Sequence, residues 1–282
     1  MQIGFIGLGN MGLPMACNLV DAGLDVVGFD VVEERAAALA EHGGDRAPGV
    51  VGTVDGSSVV VTMVRTPDQV RAVTAELFPA MEAGDVYVDM STIGPAATDE
   101  IRADAEDRGI RMLDAPVSGG VVGAEDGTLT IMAGGPADLF EEVAPVFEVV
   151  GGDIYHVGDL GSGQTAKMCL QILIGAEIVS ICESFRLADR ADMDLEVLYD
   201  VLTDSLGTSG ILEVKGDRIL DRDYEPGADI DLQYKDMELV LDAARELTSP
   251  MPVTAAATQE FIHARARELG DRDQFAMFEL YD

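Results

Sequence analysis

The chain has 282 residues, 48% of them hydrophobic, enough for roughly two domains with large cores and no need of disulfide or metal staples. Its 52 acidic residues outnumber 18 lysines and arginines, and the net charge of −34 excludes nucleic acids and anionic membranes as partners. The acids do not form a tail. They alternate with apolar positions, as in Asp217-Arg218-Ile219-Leu220-Asp221-Arg222-Asp223, and so read as the solvated surface of a folded protein. Self-repulsion of this size is relieved by salt, so a halophilic, high-salt cytoplasm is the expected setting. Only three lysines occur, Lys167, Lys215 and Lys235. The three cysteines, Cys17, Cys169 and Cys182, form no C-x-x-C pair and read as reduced, buried thiols of a cytoplasmic protein.

In chain order, Ile3-Gly4-Phe5-Ile6 reads as a strand with no basic segment before it, so no signal peptide is expected. The strand ends in Gly7-Leu8-Gly9-Asn10-Met11-Gly12, and a helix is predicted from about Asn10 to Ala22. A G-x-G-x-x-G run between a strand and a helix is a dinucleotide-binding turn. The first glycine makes the turn, the second admits the pyrophosphate, and the third lets helix and strand pack closely. The next strand, 25–30, ends in Asp30, where a carboxylate suits the adenosine ribose hydroxyls and repels a 2′-phosphate. Val31, Val32, Glu33 and Glu34 follow, and the nearest arginine is Arg35, so NAD is expected over NADP.

Further strands are predicted at 58–64, 86–89, 111–114, 129–133 and 154–157, with helices at 96–108 and 136–147 among the segments between them. Strands alternating with helices predict an α/β fold, a Rossmann-type doubly wound sheet over residues 1–160. After Gly158–Gly163 the pattern becomes helical: one long interdomain helix over 164–190, then 194–205, 208–220, 230–247 and 251–269. Residues 161–282 are therefore expected to form an all-α substrate and oligomerisation domain. The apolar stretch 168–182, interrupted by Gln171 and Glu177, reads as a buried core helix too short to span a bilayer.

Several motifs follow the glycine turn in a fixed order: Asp89-Met90-Ser91-Thr92, Asp114-Ala115-Pro116-Val117-Ser118-Gly119-Gly120, Gly127-Thr128-Leu129-Thr130-Ile131-Met132-Ala133-Gly134-Gly135, Gly161-x-Gly163-x-x-x-Lys167 and Tyr234-Lys235-Asp236. Together they make the whole chain resemble the β-hydroxyacid dehydrogenase family, whose best-known member is 3-hydroxyisobutyrate dehydrogenase. The resemblance implies that Lys167 is the catalytic lysine and that Ser118, Gly119 and Gly120 hold the substrate carboxylate. It also implies that Thr92 and Lys235 lie by the nicotinamide half of the cofactor, and that Val64 and Arg65 lie under its adenosine. Asp89 and Asp114 read as structural, and Lys215 as ordinary helix surface. Two positions depart from the family pattern. Gln171 stands one helical turn after Lys167, and Gln69 stands after Val64-Arg65, where asparagine is usual. Gln171 is assigned to the substrate pocket, and the two departures together leave the exact substrate open but not the reaction class.

The implied reaction moves a hydride between NAD and a short 3-hydroxy acid, giving a semialdehyde, with Lys167 as general acid and base. Burial lowers a lysine's pKa toward the working pH. Tartronate or succinic semialdehyde reduction, glyoxylate reduction, a small decarboxylating 6-phosphogluconate dehydrogenase-like activity and a non-catalytic NAD-binding role are the alternatives. A short-chain dehydrogenase needs Tyr-x-x-x-Lys, but Gly163, Ile211 and Asp231 precede the three lysines. His42, His156 and His263 lie outside the motifs, and no metal cluster is evident. A homodimer or homotetramer is expected from the long apolar helix.

Overall fold

The computed structural model describes residues 1–225 and 227–281; Pro226 and Asp282, both inside the predicted second domain, lie outside the described residues. Two compact units divide between Lys167 and Met168.

The first unit contains β1 (Gln2–Ile6), α1 (Gly12–Asp21), β2 (Asp25–Phe29), α2 (Glu33–His42), β3 (Asp45–Arg46), β4 (Val59–Thr62), α3 (Pro67–Leu77), β5 (Val86–Asp89), α4 (Gly94–Arg108) and β6 (Arg111–Asp114). It continues through β7 (Val117–Ser118), α5 (Gly120–Glu125), β8 (Leu129–Gly134), α6 (Ala137–Val150), β9 (Gly151–Gly158) and the start of α7 (Ser162–Arg190). The strands form one sheet in the order β3-β2-β1-β4-β5-β6-β8-β7, with β9 paired to β8. Strands β1 to β6 pair in parallel along that order, while β8 runs antiparallel to β6 and β7. The expected doubly wound sheet is present, with an antiparallel turn-back at β7 and β8 that strand patterning alone does not disclose.

Burial on both faces explains the apolar strands. Ile3, Phe5, Val59, Val61, Val86 and Val88 enter one core with α1 and α6. Their neighbours Ile6, Val60 and Tyr87 enter the other, with α3 and α4. Side chains alternate across a strand, so a continuous apolar run fills both layers at once.

The second unit holds the rest of α7, then α8 (Leu195–Thr203), α9 (Gly210–Lys215), α10 (Asp217–Asp221), α11 (Ile230–Glu246) and α12 (Pro252–Ala266). It is helical, as expected after residue 160. The helix predicted over 208–220 is two helices meeting at Gly216, where a Cβ would come 2.5 Å from the Leu212 carbonyl oxygen.

By length and composition α7 is long and apolar enough to cross a membrane, which corrects the expectation of a stretch too short to do so. Its buried residues Ile178, Cys182 and Phe185 instead pack with Phe261, Phe275 and Phe278 in the core of the second unit. Of the three cysteines expected to be buried, Cys182 is, whereas Cys169 lies on an exposed face of the same helix and Cys17 is only partly buried.

Lys215 is not surface. Its Nζ lies 2.9 Å from Oδ2 of the fully buried Asp273, and Arg218 approaches the same oxygen at 3.5 Å. A buried carboxylate needs such partners to stay charged.

Candidate active site

The turn after β1 is built for close backbone approach. Gly7 has φ +93°, and a Cβ there would lie 2.3 Å from the Met63 carbonyl oxygen. A Cβ on Gly12 would lie 1.9 Å from the Gly7 oxygen, so α1 can start against β1 only with glycine at that position. Gly9 differs: its Cβ would meet only Arg35 Nη1, at 3.8 Å. That open face is the cradle a pyrophosphate requires. Among the described residues, no side chain caps α1, whose N-cap is Met11. An uncapped helix start with bare glycine before it fits a dinucleotide phosphate.

Asp30 follows β2 with its side chain 6% exposed. Its Oδ2 accepts from the Leu8 amide and its Oδ1 from the Val32 amide, each at 2.8 Å. The carboxylate therefore fixes the glycine turn. Each of its oxygens keeps a further acceptor position for a hydroxyl. Arg35 Nη1 lies 3.6 Å from Oδ2.

The loop after β4 is tied to neighbouring groups. The Val64 amide donates to Ser91 Oγ at 2.9 Å, and the Arg65 amide donates to Gln69 Oε1 at 2.9 Å. Thr66 and Gln69 close a capping box on α3. Gln69 therefore acts locally, its longer side chain holding two backbone amides, of Arg65 and Thr66.

Lys167 is buried, and its Nζ donates to the Val117 carbonyl at 2.8 Å. Ser118, Gly119 and Gly120 follow Val117 directly. Gly119 and Gly120 have φ of +133° and +63°, both are exposed, and a Cβ on Gly120 would meet nothing. The folded chain thus brings the predicted lysine to the predicted carboxylate loop across 50 residues of sequence. Backbone amides at two glycines and a serine hydroxyl are donors of the kind a small carboxylate needs.

Two further residues meet at this junction, one that reads as structural in the sequence and one that no motif marks. Asp114, fully buried at the end of β6, accepts from the Gly161 amide at Oδ1 and the Gln164 amide at Oδ2, both at 2.7 Å. Gln164, also fully buried, accepts at Oε1 from the Ile93 and Gly94 amides (3.0 Å each) and donates from Nε2 to the Ser91 carbonyl at 2.8 Å. Those bonds hold the loop that carries Thr92.

In the second unit, Gln171 is buried, and its Nε2 donates to Asp236 Oδ2. Lys235 Nζ lies 2.8 Å from Asp236 Oδ1. Motif order alone leaves Asp236 without a role, although it partners both Gln171 and Lys235. Among the described residues, no group of three His, Cys, Asp or Glu side chains is placed to hold a metal ion.

The chain is similar to known proteins over its whole length. Residues 2–158 match a family described as the NAD binding domain of 6-phosphogluconate dehydrogenase. Residues 161–281 match one described as the NAD-binding domain of NADP-dependent 3-hydroxyisobutyrate dehydrogenase. The 2-(hydroxymethyl)glutarate dehydrogenase of Eubacterium barkeri is 38% identical over 100% of this chain and 95% of its own. The 2-hydroxy-3-oxopropionate reductase of Escherichia coli is 38% identical over 93% of this chain and 90% of its own. A solved structure of Mycobacterium tuberculosis 3-hydroxyisobutyrate dehydrogenase with L-serine is 33% identical, with a TM-score of 0.90 over 99% of this chain and 98% of that one.

Burial pushes the Asp114 carboxyl up from an ordinary 3.8 to about 7, against the opposing pull of its backbone amide partners. A raised folded pKa means that the native state holds a proton the unfolded chain has released between pH 4 and 7. Stability from this group is therefore lost as pH rises through that window, by at most ~4 kcal/mol. The wild type should lose stability relative to Asp114→Asn from pH 4 to pH 7 in denaturant titrations, and parallel profiles would show that Asp114 titrates normally.

Proposed function

The chain belongs to the β-hydroxyacid dehydrogenase family, and we propose that it oxidises a short 3-hydroxy acid to its semialdehyde, or reduces the latter, with Lys167 as general acid and base. The observation that carries this reading is the 2.8 Å bond from Lys167 Nζ to Val117, which seats the ammonium beside Ser118, Gly119 and Gly120. We place cofactor binding in residues 1–160, as the family match over residues 2–158 supports, and substrate binding and oligomerisation in 161–282.

The dinucleotide, when bound, supplies the hydride acceptor, or the donor in the reverse direction. Gly7, Leu8, Gly9, Asn10, Met11 and Gly12 hold its pyrophosphate, and Asp30 its adenosine ribose. Val64 and Arg65 flank the adenosine, and Thr92 and Lys235 the nicotinamide half. The Ser118 hydroxyl and the amides of Gly119 and Gly120 bind the substrate carboxylate and aim the terminal alcohol at Lys167. In oxidation Lys167 takes the hydroxyl proton; in reduction it returns that proton to the new alkoxide. Gln171, fixed by Asp236, borders the substrate.

Methylmalonate semialdehyde is the main candidate, with 3-hydroxyisobutyrate as its alcohol. Tartronate semialdehyde is the second, because a 2-hydroxy-3-oxopropionate reductase is 38% identical. NAD is preferred over NADP because Asp30 faces the glycine turn and already engages Arg35 at 3.6 Å. The acidic surface fits a high-salt cytoplasm. Exposed Leu173, Leu187, Val197, Val201 and Leu206 on the second unit support a homodimer or homotetramer.

In molar salt the protein should oxidise NADH with at least one of methylmalonic, tartronic and succinic semialdehydes. Lys167→Ala should cut turnover by about 10²–10⁴-fold with the NADH dissociation constant nearly unchanged. Substantial turnover by that variant would remove Lys167 from proton transfer, and no turnover by the wild type would favour a binding role. NADH should give a higher kcat/KM than NADPH; equal values would overturn the reading of Asp30. Melting temperature should climb from low to molar salt, and sedimentation across the same series should report a species heavier than 29.8 kDa. A flat melting profile would remove the halophilic setting, and a monomer throughout would remove the oligomer.

A further inference from the structure

Lys167 is useful only if it sits at a set height against both the substrate loop and the nicotinamide loop. Its bond to the Val117 carbonyl ties it to the former. The tie to the latter is made by a residue three positions earlier on the same helix.

Gln164 is fully buried and makes three bonds to one short loop: from the amides of Ile93 and Gly94, and to the carbonyl of Ser91. Its own amide is held by Asp114 Oδ2, whose other oxygen holds the Gly161 amide. Backbone walls leave little play. A Cβ on Gly163 would lie 2.3 Å from the Met132 carbonyl oxygen and 2.8 Å from Asp114 Oδ2. A Cβ on Gly134 would lie 2.5 Å from Asp114 Oδ1.

Burying a carboxylate and an amide to start a helix is expensive; a serine cap or an apolar contact would serve stability better. What the buried network supplies is a single geometry, since each partner accepts little displacement. We propose that Gln164, strapped by Asp114, is a positioning residue. It couples the loop of Ser91, Thr92 and Ile93 to the first turn of α7 and so sets Lys167 for proton transfer, a role that rests on the dehydrogenase reading above. The loop and the lysine then move as one body. A misplacement of about 1 Å at such a site costs about 10²-fold in rate.

The test uses the full-length protein in molar salt. Gln164→Leu removes all three bonds. Gln164→Glu keeps the two acceptor bonds to Ile93 and Gly94, and serves as the partial rescue and as the working variant if the leucine protein does not fold. Four quantities are read: kcat with NADH and the best semialdehyde, the primary isotope effect with 4-deuterated NADH, the NADH dissociation constant, and acetic anhydride labelling of each lysine by mass spectrometry. With only three lysines, Lys215 is the internal control.

For Gln164→Leu, kcat should fall by about 10²-fold with an enlarged isotope effect. Lys167 labelling should change severalfold while Lys215 labelling and NADH affinity hold, and Gln164→Glu should lie between. Turnover within twofold of wild type with unchanged Lys167 labelling would overturn the proposal. So would equal acceleration of labelling at Lys167 and Lys215, which marks general loosening. If the wild type turns over no aldehyde, the dehydrogenase reading fails, and the selective labelling response of Lys167 still decides whether Gln164 positions it.

Discussion

A carboxylate buried at the end of a strand, held by backbone amides, governs how the rest of this site is assembled. Asp114 closes β6 and takes the amides of Gly161 and Gln164, so the helix that carries Lys167 can leave the sheet at one place only. Glycines at 134 and 163 follow from that requirement, because any side chain there would displace the carboxylate or its neighbours. The same strand end leads through Ala115 and Pro116 to Val117, Ser118, Gly119 and Gly120. Lys167 and the loops proposed to hold cofactor and substrate therefore depend on a common anchor. The cost is a charge out of water, visible in the raised pKa of the group.

The three lysines show how an extreme surface constrains an interior. Side-chain exposure is 18% at Lys215 and 19% at Lys235, and Lys167 is 7% exposed overall, so each lies largely inside. Each has an assigned partner: the Val117 carbonyl, Asp273 and Asp236. The exposed ion pairs use arginine or histidine instead, as at Arg71 with Asp68 and Glu100, or Arg108 with Asp104. Such pairs contribute little individually, and salt screens them further. The acidic surface accounts for the scarcity of lysine outside, and the partners account for the three that remain inside. Lys215 belongs to that interior set, though its sequence context shows no more than a charged residue late in a helix.

Local signals make the scaffold legible. The glycine turn, the apolar strands and the shift to helix after residue 158 all express short-range rules, and the elements appear where those rules put them to within a few residues. Lys167 and the Ser118–Gly120 loop are legible through motif order, and the bond between Lys167 and Val117 joins them in space. The structure is needed wherever a side chain acts at a distance. Gln164 reaches 70 to 73 residues back to its partners, and Gln171 reaches 65 residues forward to Asp236. No spacing rule relates such positions. The antiparallel β8 is hidden for a similar reason, because a largely buried strand has the same apolar run in either direction.

Gln69 and Gln171 show that a departure from a pattern is explained by its new partner. At 69 the extra methylene lets one amide oxygen serve both Arg65 and Thr66 while Thr66 caps the helix in return, so the change is absorbed locally and carries no message about substrate. At 171 the longer side chain is spent on Asp236, which also pairs with Lys235. A glutamine tied to that carboxylate presents its carbonyl oxygen, not its amide nitrogen, to whatever lies on its other side. A pocket bordered by an acceptor favours a substrate that carries a hydrogen-bond donor there, and discrimination of this kind exceeds what an added or missing methylene achieves. Under the reading proposed above, in which Gln171 borders the substrate, it is the position at which this chain's choice among short hydroxy acids is most open to difference from its relatives.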